Sequence, residues 1–217
     1  MPWDIVVYNK IKQAIYKSLI PFIKNWKYLL WQFYLNTNDS INLIVGAGTI
    51  NLKGWFSTDI ATLDITNENH FRKYFKHKRI NKILAEHVLE HLTTEQLDLM
   101  VKNFYQYSAD DINIRIAVPD GYHKDERYIN TVKPGGTGVG ANEHKHLFNY
   151  KTLSLIFERQ GFVSLLMEYW DEEKLFHTSY SNDNNGYIQR SFINDARNIN
   201  ETPISTSLII DFKKARL

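Results

Sequence analysis

Residues 83–92, ILAEHVLEHL, set Glu86, His87, Glu90 and His91 within one short span. Imidazole titrates nearest to neutral pH, which makes His87 a candidate general base. The same span reads HVLEH, the order in which inverted zinc peptidases aim two histidines, here His87 and His91, at a metal and keep a glutamate, here Glu90, as base. That chemistry needs a continuous helix and a third ligand, for which Glu143 or Glu158 would serve. The span instead follows strand-like NKILA directly, and Thr93 with Gln96 has the capping-box spacing that starts a helix only beyond it. The zinc hydrolase is kept as the lesser alternative, and no metal ligands are assigned.

Two more histidines, His144 and His146, close KPGGTGVGANEHKH, residues 133–146, a glycine-rich stretch expected to form a mobile loop over a site. Asp120 and Tyr122 follow the strand-like IRIAVPDG, where an open sheet presents its acceptor side. His87, His144, His146 and Asp120 are therefore the catalytic candidates. The competing reading makes the loop histidines ordinary surface residues and Asp120 a turn residue.

The third chemical feature is LIVGAGTINLKGWFSTDI, residues 43–60. Gly46 and Gly48 end an apolar run, and glycine there permits positive φ and close approach of a ligand to the backbone. Asp59 ends the next apolar run, where a carboxylate can accept hydrogen bonds from both hydroxyls of a ribose. The interval between Gly48 and Asp59 is too short for a full helix, and the third glycine of the dinucleotide fingerprint is absent. A cofactor with a ribose and no phosphate fits better, and S-adenosylmethionine is the common one.

These residues need a frame. INLIVG (41–46), FSTDI (56–60), NKILAEH (81–87), DINIRIAVPD (111–120), FVSLLMEYW (162–170) and TSLIIDF (206–212) are the expected strands. TTEQLDLMVKNFYQY carries Leu97, Val101 and Phe104 on one helical face, and KTLSLIFERQGF repeats the pattern and ends at Gly161. Alternation of strand and helix predicts an α/β fold, a Rossmann-like doubly wound and mostly parallel sheet, with FVSLLMEYW and TSLIIDF as a C-terminal antiparallel hairpin.

GAGTINLKGWFSTD and ILAEHVLEHL, followed by IRIAVPDG, EHKHLFNYKTLSLIFERQGF, NNGYIQRSF and TSLIIDFKK, resemble the class I S-adenosylmethionine-dependent methyltransferases. The likeness is to a compact bacterial subgroup and covers residues 41–217. It implies that Gly46, Ala47 and Gly48 face the methionyl part of the cofactor and Asp59 its ribose. Asp64 would meet the adenine amino group, with Ile60 in the same site, and Glu86 and His87 would stand beside the sulfonium. It also implies a small-molecule or glycan acceptor offering a hydroxyl or amine. A non-catalytic binding module of the same fold is the alternative from another class.

Composition sets the outer bounds. The 217 residues suffice for one well-buried core with an appendage. Without cysteine there is neither a disulfide nor a thiolate-bound zinc, which suits the cytoplasm. With 26 basic against 24 acidic residues and no basic stripe, nucleic acid is not expected as a partner. Residues 1–38 form a separate basic, aromatic arm, broken by Pro21 into two helices, ahead of a domain over residues 39–217. Lysines interrupt its apolar runs, so it is read as neither signal peptide nor membrane span, but as a surface for self-association, for the domain or for a membrane face.

Overall fold

The computed structural model describes residues 25–48, 50–60, 62–76 and 79–215. The chain divides into two compact units, Met1–Asp39 and Ser40–Leu217. In the first, residues 25–37 are helical (α1), and Asn38 closes the helix by donating its backbone and side-chain N–H to Tyr34 O. The break expected at Pro21 lies outside the described residues. No helix among them is long and apolar enough to cross a membrane.

The second unit is built on one sheet of seven strands: β1 Ile41–Val45, β2 Phe56–Ser57, β3 Ile80–Glu86, β4 Ser108–Pro119, β5 Phe162–Trp170, β6 Phe176–Thr178 and β7 Ser207–Lys214. Their order is β2-β1-β3-β4-β7-β5-β6. β1 to β4 run parallel, and β7 enters antiparallel between β4 and β5. The expected hairpin partners do pair, but β7 also separates β5 from β4, and β6, from the polar segment between β5 and β7, adds an edge. The chain passes from β1 to β2 on one side and returns to β3 on the other. The strand order therefore reverses at β1, and the crevice beyond the carboxyl ends of β1 and β3 is where such sheets bind ligands.

Helices α2 Glu68–Phe75, α3 Thr94–Tyr107, α4 Glu126–Val132 and α5 Tyr150–Glu158 complete the unit. The capping box forms at α3, with Thr93 Oγ1 accepting from Gln96 N and Gln96 Oε1 accepting from Thr93 N. Leu97, Val101 and Phe104 are fully or almost fully buried, as their spacing requires. Phe71 of α2 meets Phe104 and Tyr107 of α3, and Phe157 of α5 stacks on Phe212 of β7 with ring centroids 3.8 Å apart.

Strand side chains alternate between faces, so Ile44, Leu84, Ala117 and Ile209 point away from Phe212. They form a second core cluster with Ala47, Tyr180 and Ile188, against which Ile50, Leu52 and Trp55 pack. Among the described residues, those packed here outside the sheet, Ala47, Ile50, Leu52, Trp55, Tyr180 and Ile188, belong to no helix. Arg115 of β4 shares it, fully buried and directly opposite Asp211 of β7. Its Nε donates to Asp211 Oδ1 and an Nη to Oδ2, both at 2.8 Å; the guanidinium also donates to Asp183 and to Gly186 O. A buried charge persists only when paired and hydrogen-bonded, and here the pairing ties the segment between β6 and β7 to the sheet.

Candidate functional site

Two cavities open beside the carboxyl ends of β1, β3 and β4, and residues 87–92 contribute to both walls. The smaller, about 200 Å³, is lined by Val45, Gly46, Asp59, Ile60, Leu63, Asp64, Val88, Leu92 and Gln96 among others. The larger, about 370 Å³, is lined by His87, Glu90, His91, Tyr128, Val139, His144, Arg190, Arg197 and Ser207 among others.

In the smaller cavity the glycine corner is as tight as its sequence demands. Gly46 has φ +60°, and a Cβ built there would stand 2.5 Å from Val88 Cγ2. Asp59 is held by an Asx-type turn, its Oδ1 accepting from Thr62 N at 3.1 Å and Thr62 Oγ1 at 3.2 Å. Asp64 Oδ1 likewise accepts from Thr66 N and Thr66 Oγ1. Both residues line the cavity, each with its Oδ1 held by its own turn, and Ile60 lies beside them, 80% exposed.

Other residues expected here are placed elsewhere. Ala47 is buried in the second core cluster, and Gly48 borders open space rather than the cavity. Glu86 turns to the outer segment, accepting from Gln189 N at 3.0 Å and Arg190 N at 2.8 Å. Its carboxylate thus anchors the chain that carries Arg190 instead of facing the corner.

The larger cavity gathers the histidines. His87 has φ +54°, an uncommon conformation for a residue with Cβ, and its N–H continues the β3 ladder to Ala117 O. The ring lies with Nε2 3.1 Å from Ser207 Oγ and Nδ1 3.2 Å from Glu90 Oε1. Glu90 is fully buried, and neither oxygen has a hydrogen-bond partner; Oε1 is near enough to pair with His87 but off the line of a hydrogen bond. Residues Leu89–His91 form a 3-10 turn, not the long helix an inverted zinc peptidase uses, and α3 begins after it.

The chain at 144–146 is pinned to that turn, since Lys145 N and His146 N both donate to Glu90 O. This brings His144 to His91, with rings edge to face and centroids 4.7 Å apart. Potential ligand atoms of Glu90, His91 and His144 lie within 4.8 Å of one another. His144 Nδ1 is 2.6 Å from Val132 O, so it carries the proton there.

Two candidates fall away from this centre. His146 stacks on Phe148 and does not line the cavity. Asp120 is fully buried with its carboxylate turned into the fold, accepting from Tyr122 N at 2.9 Å and Trp170 N at 2.8 Å, and burial pushes it up to about 6. It braces the end of β4 against β5. The stretch expected as a mobile loop is a compact turn hydrogen-bonded to α4 through Thr137 N to Asn130 O and Gly138 N to Thr131 O. Arg190, Arg197 and Ser207 were not singled out from sequence; they come from tail segments whose chemistry is set only by what they fold against.

No family model matches the chain, and no curated protein sequence matches it. Among solved structures, it is similar to a SAM-dependent methyltransferase from Archaeoglobus fulgidus, at 18% identity and TM-score 0.46, covering 94% of each chain. It is also similar to a SAM-dependent methyltransferase from Anabaena variabilis, at 9% identity and TM-score 0.42, covering 95% of this chain and 85% of that one. A third similarity is to a LepI variant in complex with SAH and a substrate analogue, at 9% identity and TM-score 0.44. The match covers 86% of this chain but only 39% of LepI. The reading of the site rests on the geometry above.

Proposed function

We propose that this chain is an S-adenosylmethionine-dependent methyltransferase acting on an oxygen or nitrogen nucleophile of a small molecule. The observation that carries the reading is the pairing of the two cavities across residues 87–92, with two oriented carboxylates on one side and a histidine–glutamate pair on the other. In this reading Asp59 accepts from ribose hydroxyls and Asp64 from the adenine amino group, supported by their both lining the cavity, and Gly46 leaves the backbone bare where a Cβ would collide with Val88. When bound, S-adenosylmethionine supplies a sulfonium methyl already activated for displacement. A volume of about 200 Å³ is below the roughly 300 Å³ at which ordinary ligand pockets begin, and suits the nucleoside half with the remainder reaching toward the larger cavity.

The protein's own task is then alignment and proton removal. Holding an acceptor about 3 Å from the methyl in line with the breaking bond supplies much of the acceleration. His87 Nε2, at the wall of the larger cavity, is the atom to take the acceptor proton, and Glu90 beside Nδ1 stabilises the imidazolium that results. Arg190 gives the cavity a cationic rim group, with Arg197 beside it paired to Asp195, and this favours an acceptor with anionic or oxygen-rich groups, a sugar among them.

Titration calorimetry with S-adenosylmethionine tests the assignment. Micromolar binding by the chain, weakened at least about tenfold by Asp59→Ala, is the expected result, one hydrogen bond to a charged group being worth about 1.5–3 kcal/mol. Absence of binding would leave a non-catalytic module of this fold.

A further inference from the structure

We propose that Glu90, His91 and His144 bind a divalent first-row transition metal, of the zinc class, whose remaining coordination positions open into the larger cavity. This set shares His91 with the peptidase reading of HVLEH but drops His87 and turns Glu90 from base into ligand, with a third ligand recruited from beyond α4.

Glu90 is the observation that demands a ligand. A fully buried carboxylate with two oxygens lacking hydrogen bonds is costly unless a cation or proton meets it. His87 stands only beside Oε1, and Glu90 lines the larger cavity, where a cation can reach it. The two histidines add the rest of a donor set, since ligand atoms from all three residues fall within 4.8 Å of one another. His144 is also in the form a metal requires. Its Nδ1–H is committed to Val132 O, which leaves the Nε2 lone pair to coordinate, the second bond that metal-ligating histidines usually make.

Two imidazoles and one carboxylate select zinc, cobalt or iron rather than magnesium or calcium, which take oxygen donors. Three protein ligands leave at least one position for water or substrate oxygen. That position opens into a cavity rimmed by Arg190, with Arg197 paired to Asp195, so the fitting substrate binds the metal through an ionisable hydroxyl and carries a further anionic group. This last assignment rests on the methyltransferase reading; metal binding does not. Coordination would lower the hydroxyl's pKa, and the released proton would pass to His87.

The test is calorimetry of Zn²⁺ and Mg²⁺ into the chelator-stripped 217-residue chain, with Co²⁺ absorption as a second signal. One Zn²⁺ per chain is expected, with Mg²⁺ at least about 100-fold weaker. His144→Ala should weaken Zn²⁺ by more than about 100-fold, since loss of an outer-shell partner alone costs 10–100-fold. Glu90→Gln should do the same, and because it alters a buried group, His144→Ala at a half-buried position serves if Glu90→Gln fails to fold. His146→Ala should leave binding unchanged. No Zn²⁺ binding, unchanged binding in His144→Ala, or Mg²⁺ binding as tightly as Zn²⁺ would each overturn the site. Parallel titration with S-adenosylmethionine separates the two readings: cofactor binding without metal sinks this site alone, and metal without cofactor sinks the methyltransferase alone.

Discussion

At the scale of single residues, burial and backbone conformation fix what each group can do. Gly46 occupies positive φ with Val88 where a side chain would be. Gly46→Ala should therefore cost about 1–2 kcal/mol from the left-handed conformation alone and also weaken cofactor binding. Denaturant unfolding and calorimetry on the variant read the two effects, and unchanged affinity would remove Gly46 from the site. Glu168 makes a different prediction. It is fully buried, both oxygens accept from Phe192 N, and burial pushes its carboxyl up to about 8 from an ordinary 4.5. Between those values the folded chain holds a proton that the unfolded chain has released. Stability consequently falls as pH rises through the window, by up to about 1.4 kcal/mol per pH unit, and the loss is complete above about 8. Glu168→Gln should flatten urea-denaturation stability between pH 6 and pH 8; a slope equal to that of the parent would show that Glu168 titrates normally.

At the scale of elements, two contacts of different kinds hold the frame. The Thr93 cap sets where α3 starts and so keeps residues 87–91 out of the helix. Thr93→Ala should cost about 1 kcal/mol, as caps generally do, seen as a lowered urea midpoint with the slope unchanged. Arg115 and Asp211 link β4 to β7 on the buried face. Truncating Asp211 to alanine leaves the buried Arg115 cation with only the exposed Asp183 as counter-charge and should cost up to about 3–5 kcal/mol. The damage should extend to the segment carrying Arg190, because Arg115 also holds Asp183 and Gly186 O. A loss below about 1 kcal/mol would mean that water reaches the guanidinium.

At the scale of the whole molecule, ligand binding to the folded unit appears as added stability. Saturation at about 100 times Kd adds about 2.7 kcal/mol, or roughly 5–10 °C in Tm for a chain of this size. Scanning calorimetry with S-adenosylmethionine should show this shift in the parent and lose at least about half of it in Asp59→Ala at the same ligand concentration.

The sequence by itself determined the strands β1, β3, β4, β5 and β7, a β2 shorter than FSTDI, helices α3 and α5, and the glycine corner followed by Asp59. Periodicity, capping residues and glycine at a strand end are local signals that need no distant partner. It did not disclose β6, α2 or α4, whose short, polar stretches are ordered by what they pack on. Nor could local spacing say that Asp120 and Glu86 would spend their carboxylates on backbone amides, or that His146 would stack on Phe148 while His144, two positions earlier, reached His91. The meeting of Glu90, His91 and His144 was decided only by tertiary structure. Residues about fifty positions apart come within ligand distance because the chain after α4 folds back and hydrogen-bonds to the turn before α3, and such long-range closure leaves no mark in the order of residues along either segment.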